Sequence, residues 1–180
     1  IQRKLEHFAS REAMDIYGLG SSLIARLIET GQIKWIPDIY HLDYNKIAEM
    51  ERMGKKSADN LQKAIEASKT KNFDRVLFAL GIRHIGSITA RTLAQHFKNI
   101  DALIMAKEEE LLSVPDIGSI VARSIIGFFS QKSNLQMIDA LKEVGLQFAY
   151  KSTQSSDILA GKTFLITGTL PSYGRIDMET

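Results

Sequence analysis

The sequence predicts an all-α fold built from four repeated pairs of helices, each pair joined by a tight hairpin turn. The first observation is a period: Gly20, Gly54, Gly86 and Gly118 are separated by 34, 32 and 32 residues. The second is that apolar residues recur four positions before each glycine, directly before it and seven positions after it. A fixed period of this length is typical of a repeated supersecondary unit.

The segments that follow the glycines have the spacing of amphipathic helices. Leu23 and Leu27 share one helical face in the first repeat, as do Leu61 and Ile65 in the second. A glycine at the end of each turn favours a positive φ or the close approach of another backbone, because it has no Cβ. The next residue is serine in three repeats, and serine is favourable at a helix N-terminus.

Each hairpin is therefore predicted to present unpaired amide N–H groups and the positive end of a helix dipole. This combination binds anions, and a phosphate fits it without any contact to a base. The alternative is that the turns are only corners of a helical domain. One turn alone favours that explanation, whereas four in register favour phosphate binding.

The remaining sequence predicts further helices and then a change of fold. A polar entry helix is expected at 4–15, a turn at 35–38, and helices at 101–112 and 133–145. Trp35 is expected in the core, because a lone tryptophan among isoleucines is usually buried. The polar segment 151–157 is predicted to be a linker. The pattern at 161–170 predicts a strand that ends at a glycine, the start of a truncated α/β unit.

The charge is concentrated in the middle of the chain. The net charge is only +2, but residues 50–100 contain ten basic and four acidic side chains, a net charge of +6. Such clustering is typical of phosphate binding, although half of these cations are expected to lie on solvated helix faces. Lys55, Lys56 and Arg83 lie on or beside the hairpins and are the stronger candidates. Asp116 lies in the fourth turn, where a carboxylate repels phosphate.

Composition excludes several classes of protein. There is no cysteine, so the chain has no disulfide framework and no thiolate metal site. No apolar run approaches membrane-spanning length, and no secretory signal is visible. The chain begins at Ile1 without a methionine and stops at Thr180 soon after the predicted strand. We therefore expect it to be a segment of a longer protein.

Five segments together carry a family resemblance: 7–20, 53–58, 79–86, 114–118 and 159–170. In order and spacing they resemble the C-terminal part of bacterial NAD-dependent DNA ligases, whose helix-hairpin-helix motifs bind the DNA backbone without sequence specificity. The resemblance implies a four-motif DNA-binding domain at 1–150, the linker at 151–157, and the first strand and turn of a BRCT domain at 158–180. The sequence departs from the pattern at Ile24, where a small residue is usual, and at Arg52, His84 and Asp116, where the family has the first glycine of the turn.

The resemblance also implies what the chain does in the parent enzyme. It would hold nicked duplex DNA across the minor groove, together with other domains of the same ligase, in the bacterial cytoplasm at the nucleoid and without a membrane. No cofactor is expected in this chain, whereas NAD, magnesium and zinc would serve other domains. The adenylation motif Lys-x-Asp-Gly does not occur, so no catalytic residue is expected. The candidate DNA-binding residues are Gly18, Gly20, Ser21, Arg52, Gly54, Lys55, Lys56, Arg83, His84, Gly86, Ser87, Arg91, Gly118 and Ser119.

Two alternatives remain open at this point. Helix-hairpin-helix DNA glycosylases use a hairpin lysine and an aspartate about eighteen residues later, and Lys56 and Asp74 have that spacing. The segment around Asp74 lacks the apolar character of those enzymes, however, and they carry one hairpin rather than four. The other alternative is a structural or protein-interaction module with tandem hairpins, belonging to another DNA repair or recombination protein.

Overall fold

A computed structural model describes residues 1–151, which form an all-helical unit. The predicted linker from residue 152 onward and the predicted start of a BRCT domain at 158–180, with its strand at 161–170, lie outside the described residues. Short connections join the helices in the described part. Their bounds are α1 Gln2–Ala9, α2 Ser21–Glu29, α3 Tyr44–Ala48, α4 Lys55–Ser68, α5 Phe73–Ala79, α6 Ser87–Phe97, α7 Ile100–Met105, α8 Glu108–Leu112, α9 Ser119–Phe129 and α10 Lys132–Glu143, with a 3₁₀ helix at Ile36–His41.

The four predicted hairpins are confirmed. They join α1 to α2, α3 to α4, α5 to α6 and α8 to α9, and the two helices of each pair pack against each other. The periodic apolar positions form the core between them. Leu27, Leu61, Leu93 and Ile125, seven residues after their glycines, are each at most 1% exposed. The apolar residues that recur at a fixed spacing in the sequence are therefore the residues on the buried faces of the helices.

Three expectations about single elements are wrong. The entry helix ends at Ala9, because residues 10–15 form a compact turn whose amides bond back to the end of α1. The expected helix at 101–112 is two helices, since Ala106 has an extended backbone (ψ 133°) between them. Trp35 lies at the surface, 39% exposed, where its Nε1 donates to Asp38 Oδ1 at 2.8 Å.

The last described residues pack on the helical unit. The amide of Tyr150 donates to the carbonyl of Lys98 at 2.7 Å, and that of Ile100 donates to Phe148 at 3.0 Å. The side-chain amide of Asn72 makes two hydrogen bonds of 3.1 Å to the backbone of Lys151. The helical unit therefore includes Lys151, the first residue of the predicted linker. The boundary near residue 150 otherwise stays a prediction.

Candidate nucleic-acid interface

The four hairpins share one backbone arrangement. In each, the amide directly before the repeated glycine donates to the carbonyl three residues earlier, and the glycine carbonyl accepts the first hydrogen bond of the following helix. The repeated glycine is thus the N-cap residue. The turn bonds run from Leu19 to Ile16, Met53 to Met50, Ile85 to Ile82 and Ile117 to Val114, with N···O distances of 3.2, 2.9, 3.1 and 3.2 Å.

The expectation of a positive φ at the repeated glycines is wrong. Gly20, Gly86 and Gly118 have φ between −85° and −89°, and Gly54 is extended at −164°. The left-handed residue lies two positions earlier in every hairpin. It is Gly18 (φ 92°), Arg52 (62°), His84 (66°) and Asp116 (65°), the positions where the family pattern has the first glycine.

The repeated glycines instead leave open space in front of the helix N-termini. A Cβ placed on Gly20, Gly54, Gly86 or Gly118 meets no other heavy atom within 4 Å. No side chain caps any of the four helices. Within residues 1–151, the first amides of these helices have no hydrogen-bond partner. Each hairpin therefore offers accessible donors at the positive end of a helix, which suits an anion.

Uncommitted positive charge is concentrated at hairpins two and three. Lys55 and Lys56 are exposed in the first turn of α4, and neither has an ion-pair partner among the described residues. Arg83 is exposed in hairpin three, where it lines a cleft of about 500 Å³ with Arg3 and Lys4. Lys55 and Lys56 therefore add positive charge directly at the open amides of hairpin two, and Arg83 adds positive charge on hairpin three.

Other cations of the basic segment are occupied by contacts within the protein. Arg91 Nε lies 3.7 Å from Asp74, whose side chain is only 15% exposed. Lys69 pairs with Glu66 at 2.9 Å, and Lys71 pairs with Asp15 at 3.0 Å. These pairs, together with the contacts of Arg75 to backbone carbonyls, reduce the set of cations that are free to contact phosphate.

The remaining candidates lie on the hairpins, and all of them except Gly54 are exposed. They are Gly18, Gly20 and Ser21 in hairpin one, Arg52 in hairpin two, His84, Gly86 and Ser87 in hairpin three, and Gly118 and Ser119 in hairpin four. Gly54 is half-buried. Arg52 is 91% exposed at its side chain, with Glu51 at 3.7 Å. Each candidate therefore lies on a hairpin or, like Arg91, on a helix that begins at one.

Four exposed residues at the hairpins were not among the candidates predicted from the sequence. Ile88 and Ile120, each two positions after a repeated glycine, are 80% and 64% exposed, and Tyr17 beside Gly18 is 82% exposed. Arg123 is exposed one turn into α9, with its Nε 3.2 Å from the Ser119 carbonyl. The signal for the isoleucines was their common register. It was overlooked because isoleucine is usually buried.

The geometry does not support a glycosylase-type site. Asp74 lines a hollow of about 320 Å³ with Arg75, Ser87 and Arg91, and Lys56 is not part of its lining. Residues 1–151 also hold no group of three or more histidine or carboxylate side chains that would bind a metal ion. Among the same residues, no helix has the length and apolar character needed to cross a membrane.

The fold and the four hairpins define a tandem helix-hairpin-helix protein. A family model described as a SAM-like helix-hairpin-helix tandem matches residues 10–67, and a helix-hairpin-helix motif model matches residues 75–138. The two matches together include all four hairpins.

The chain is also similar to bacterial DNA ligases over nearly its whole length. It is 47% identical to the DNA ligase of Chlorobium chlorochromatii over 97% of the chain, and 47% identical to that of Caldicellulosiruptor saccharolyticus over 96%. A DNA ligase of Thermoanaerobacter sp. is 48% identical over 96%. The chain spans about a quarter of the length of these curated relatives. It therefore corresponds to the helix-hairpin-helix segment of bacterial DNA ligases, a region consistent with DNA binding.

Proposed function

We propose that this chain is the non-catalytic DNA-binding segment of an NAD-dependent DNA ligase that seals nicks in replication and repair. Its role is to grip the backbone of duplex DNA while other domains of the ligase carry out adenylation and joining on cytoplasmic, nucleoid-associated DNA. NAD, magnesium and zinc serve those other domains. The observation that carries the proposal is the recurrence of four uncapped helix N-termini behind glycines with open space in front of them.

Binding through these amides has a defined physical character. Amide N–H groups contact phosphate oxygens and read no bases, so affinity is independent of sequence. Lys55 and Lys56 add charge beside the amides of hairpin two, and Arg83 adds charge at hairpin three. Hairpin four has Asp116 two positions before its glycine, where a carboxylate repels phosphate, so we expect its electrostatic contribution to be weak.

A salt series of duplex-DNA binding tests the proposal. Each neutralised phosphate contributes a slope of roughly −0.9 to log K against log salt. Replacing Lys55 and Lys56 together with alanine should lower the affinity and reduce the magnitude of the slope by about one to two units. The control is the double variant Lys63→Ala and Lys132→Ala, which removes the same charge from exposed positions away from the hairpins. It should reduce the affinity and the salt slope less.

Two outcomes would contradict the proposal. One is an unchanged slope in the Lys55, Lys56 double variant, because the lysines would then not contact phosphate. The other is a preference of about a thousandfold between random duplexes of equal length, a ratio typical of specific base recognition. Random duplexes should instead agree within a few-fold.

A further inference from the structure

Two isoleucines occupy the same position in hairpins three and four and point away from the core. Ile88 is the second residue of α6 and Ile120 is the second residue of α9. Their exposed fractions, 80% and 64%, are high for a residue type that is among the most often buried. Their recurrence in one register of a repeated unit indicates a shared role at the hairpin surface.

The open amides beside these two isoleucines indicate which chemical group can contact their side chains. Each side chain leaves the first turn of a helix whose amides are unpaired, and the preceding glycine leaves the adjacent space open. A group held by those amides therefore lies within a side chain's length of the isoleucine. In duplex DNA a bound phosphate is flanked by deoxyribose rings, whose C–H surface is apolar.

We propose that Ile88 and Ile120 make apolar contacts with the deoxyribose rings of duplex DNA, next to the phosphates held by hairpins three and four. This inference rests on the proposed DNA-binding function and adds a second kind of contact to it. The hydrophobic contribution depends on the apolar area removed from water, and it involves no counterion release.

The proposal assigns different roles to the four hairpins. The equivalent position is Ser22 in hairpin one and Lys56 in hairpin two. At this position hairpin two thus contributes charge, whereas hairpins three and four contribute apolar surface. For hairpin four this gives a function that does not depend on electrostatic attraction, which Asp116 opposes.

The test is duplex-DNA binding by Ile88→Ser, Ile120→Ser and the double variant across a range of salt concentrations. Serine occupies this position in hairpin one, so the helix N-terminus tolerates it. We expect each substitution to weaken binding about three- to tenfold and the double variant more, with the slope of log K against log salt unchanged. Met105→Ser, at a side chain that is 81% exposed on α7 away from the hairpins, should bind like the wild type.

The outcomes separate the two proposals. If the wild-type chain does not bind duplex DNA, the proposed function fails and this inference fails with it. If the wild type binds and the folded double variant binds equally well, only this inference is overturned. A loss accompanied by a lower slope would also overturn it, because the contact would then be electrostatic. Ile88→Val and Ile120→Val keep an apolar side chain and should retain most of the affinity even if a serine variant folds poorly.

Discussion

The guanidinium Nε of Arg75 donates a hydrogen bond to the carbonyl oxygen of Ala13, with 2.7 Å between the two atoms. Its Nη2 donates to the carbonyl of Arg11. Arg75 lies on α5, which leads into hairpin three, whereas Arg11 and Ala13 lie in the turn that leads into hairpin one. One side chain therefore connects the first and third motifs.

Replacing Arg75 with alanine should destabilise the protein without removing a phosphate contact. Hydrogen bonds from a charged donor contribute about 1.5–3 kcal/mol to stability, and the two carbonyls would lose their partner. We expect the urea midpoint of unfolding to fall accordingly. The salt slope of DNA binding should stay unchanged in the folded variant.

Arg75→Lys provides the matched control. Lysine keeps the charge but lacks the planar fork that serves two acceptors at once. It should recover only part of the lost stability. Wild-type stability in Arg75→Ala, together with a salt slope reduced by about one unit, would show instead that Arg75 contacts DNA.

This contact illustrates what the sequence did and did not predict. Periodicity predicted the four hairpins and the buried faces, because those depend on local spacing. The ten basic residues of the central segment could be sorted only in part from sequence, because several of them have partners that are distant along the chain. Arg75 bonds to carbonyls more than 60 residues away, and Lys71 pairs with Asp15. Local sequence carries no signal for such partners.

Asp116→Gly and Arg52→Gly make the same backbone change with opposite changes of charge. Both residues have φ above 60°, which glycine adopts without a steric penalty. Each substitution should raise the free energy of unfolding by up to about 1 kcal/mol, as at other left-handed positions. Affinity for duplex DNA should rise for Asp116→Gly, because a carboxylate is removed, and fall for Arg52→Gly.

Thermal unfolding and DNA binding, measured on the same two proteins, check this prediction. Gly18, with φ 92°, shows that a glycine suits the position in hairpin one. A parallel gain or loss of affinity in both variants would mean that the turn conformation, and not the charge, controls binding.

Tyr40 should make stability depend on alkaline pH. Its hydroxyl lies 3.1 Å from Ser68 Oγ in the core, and burial raises the pKa of Tyr40 well above its ordinary value of about 10. Because folding raises this pKa, the contribution of Tyr40 to the free energy of unfolding is fully present below about pH 10 and is lost as the pH rises further. The free energy of unfolding should therefore fall above about pH 10.

Tyr40→Phe removes the ionising group. At neutral pH the loss of the hydrogen bond between Tyr40 and Ser68 should lower the free energy of unfolding by about 0.5–1.5 kcal/mol. The loss stays small because Ser68 keeps its 2.6 Å hydrogen bond to the Ile65 carbonyl. Above about pH 10 its stability should fall less steeply than that of the wild type. Urea midpoints at neutral and alkaline pH measure both effects, and Tyr17→Phe, at an exposed tyrosine, is the control. Identical pH dependence in Tyr40→Phe and the wild type would contradict the prediction.

The repeated glycines were recognised from sequence, but for the wrong conformational reason. Their period marked the hairpins correctly, yet the left-handed backbone lies two residues earlier, where Gly18, Arg52, His84 and Asp116 differ in type. A residue with a side chain tolerates φ near 60° at a moderate cost. A side chain at the repeated glycine would instead enter the space in front of the amides.

Gly86→Ala should therefore separate DNA binding from folding. Alanine adopts the φ of −87° without strain, and a Cβ at this position meets nothing within 4 Å. The only expected cost to the free energy of unfolding is that alanine is a poorer N-cap residue than glycine, which amounts to about 1 kcal/mol or less. Gly127→Ala, inside α9 and equally free of contacts, is the matched control and should stabilise the helix without affecting DNA. The thermal midpoint of Gly86→Ala should stay within a few degrees of the wild type, while its affinity for duplex DNA falls.

In a full-length ligase that contains this segment, the same substitution should affect one step of the reaction and spare another. In the proposed NAD-dependent reaction, formation of the enzyme–AMP intermediate requires no DNA, so it should proceed at a near-normal rate in Gly86→Ala. Closure of a nicked duplex requires the DNA to be held, and its rate at limiting DNA should fall, because in the proposed binding mode the added methyl group would lie between the α6 amides and the phosphate. Self-adenylation and nick closure are measured side by side on the same preparation. Equal loss of both activities would mean that Gly86 acts through folding, and its assignment to phosphate binding would be wrong.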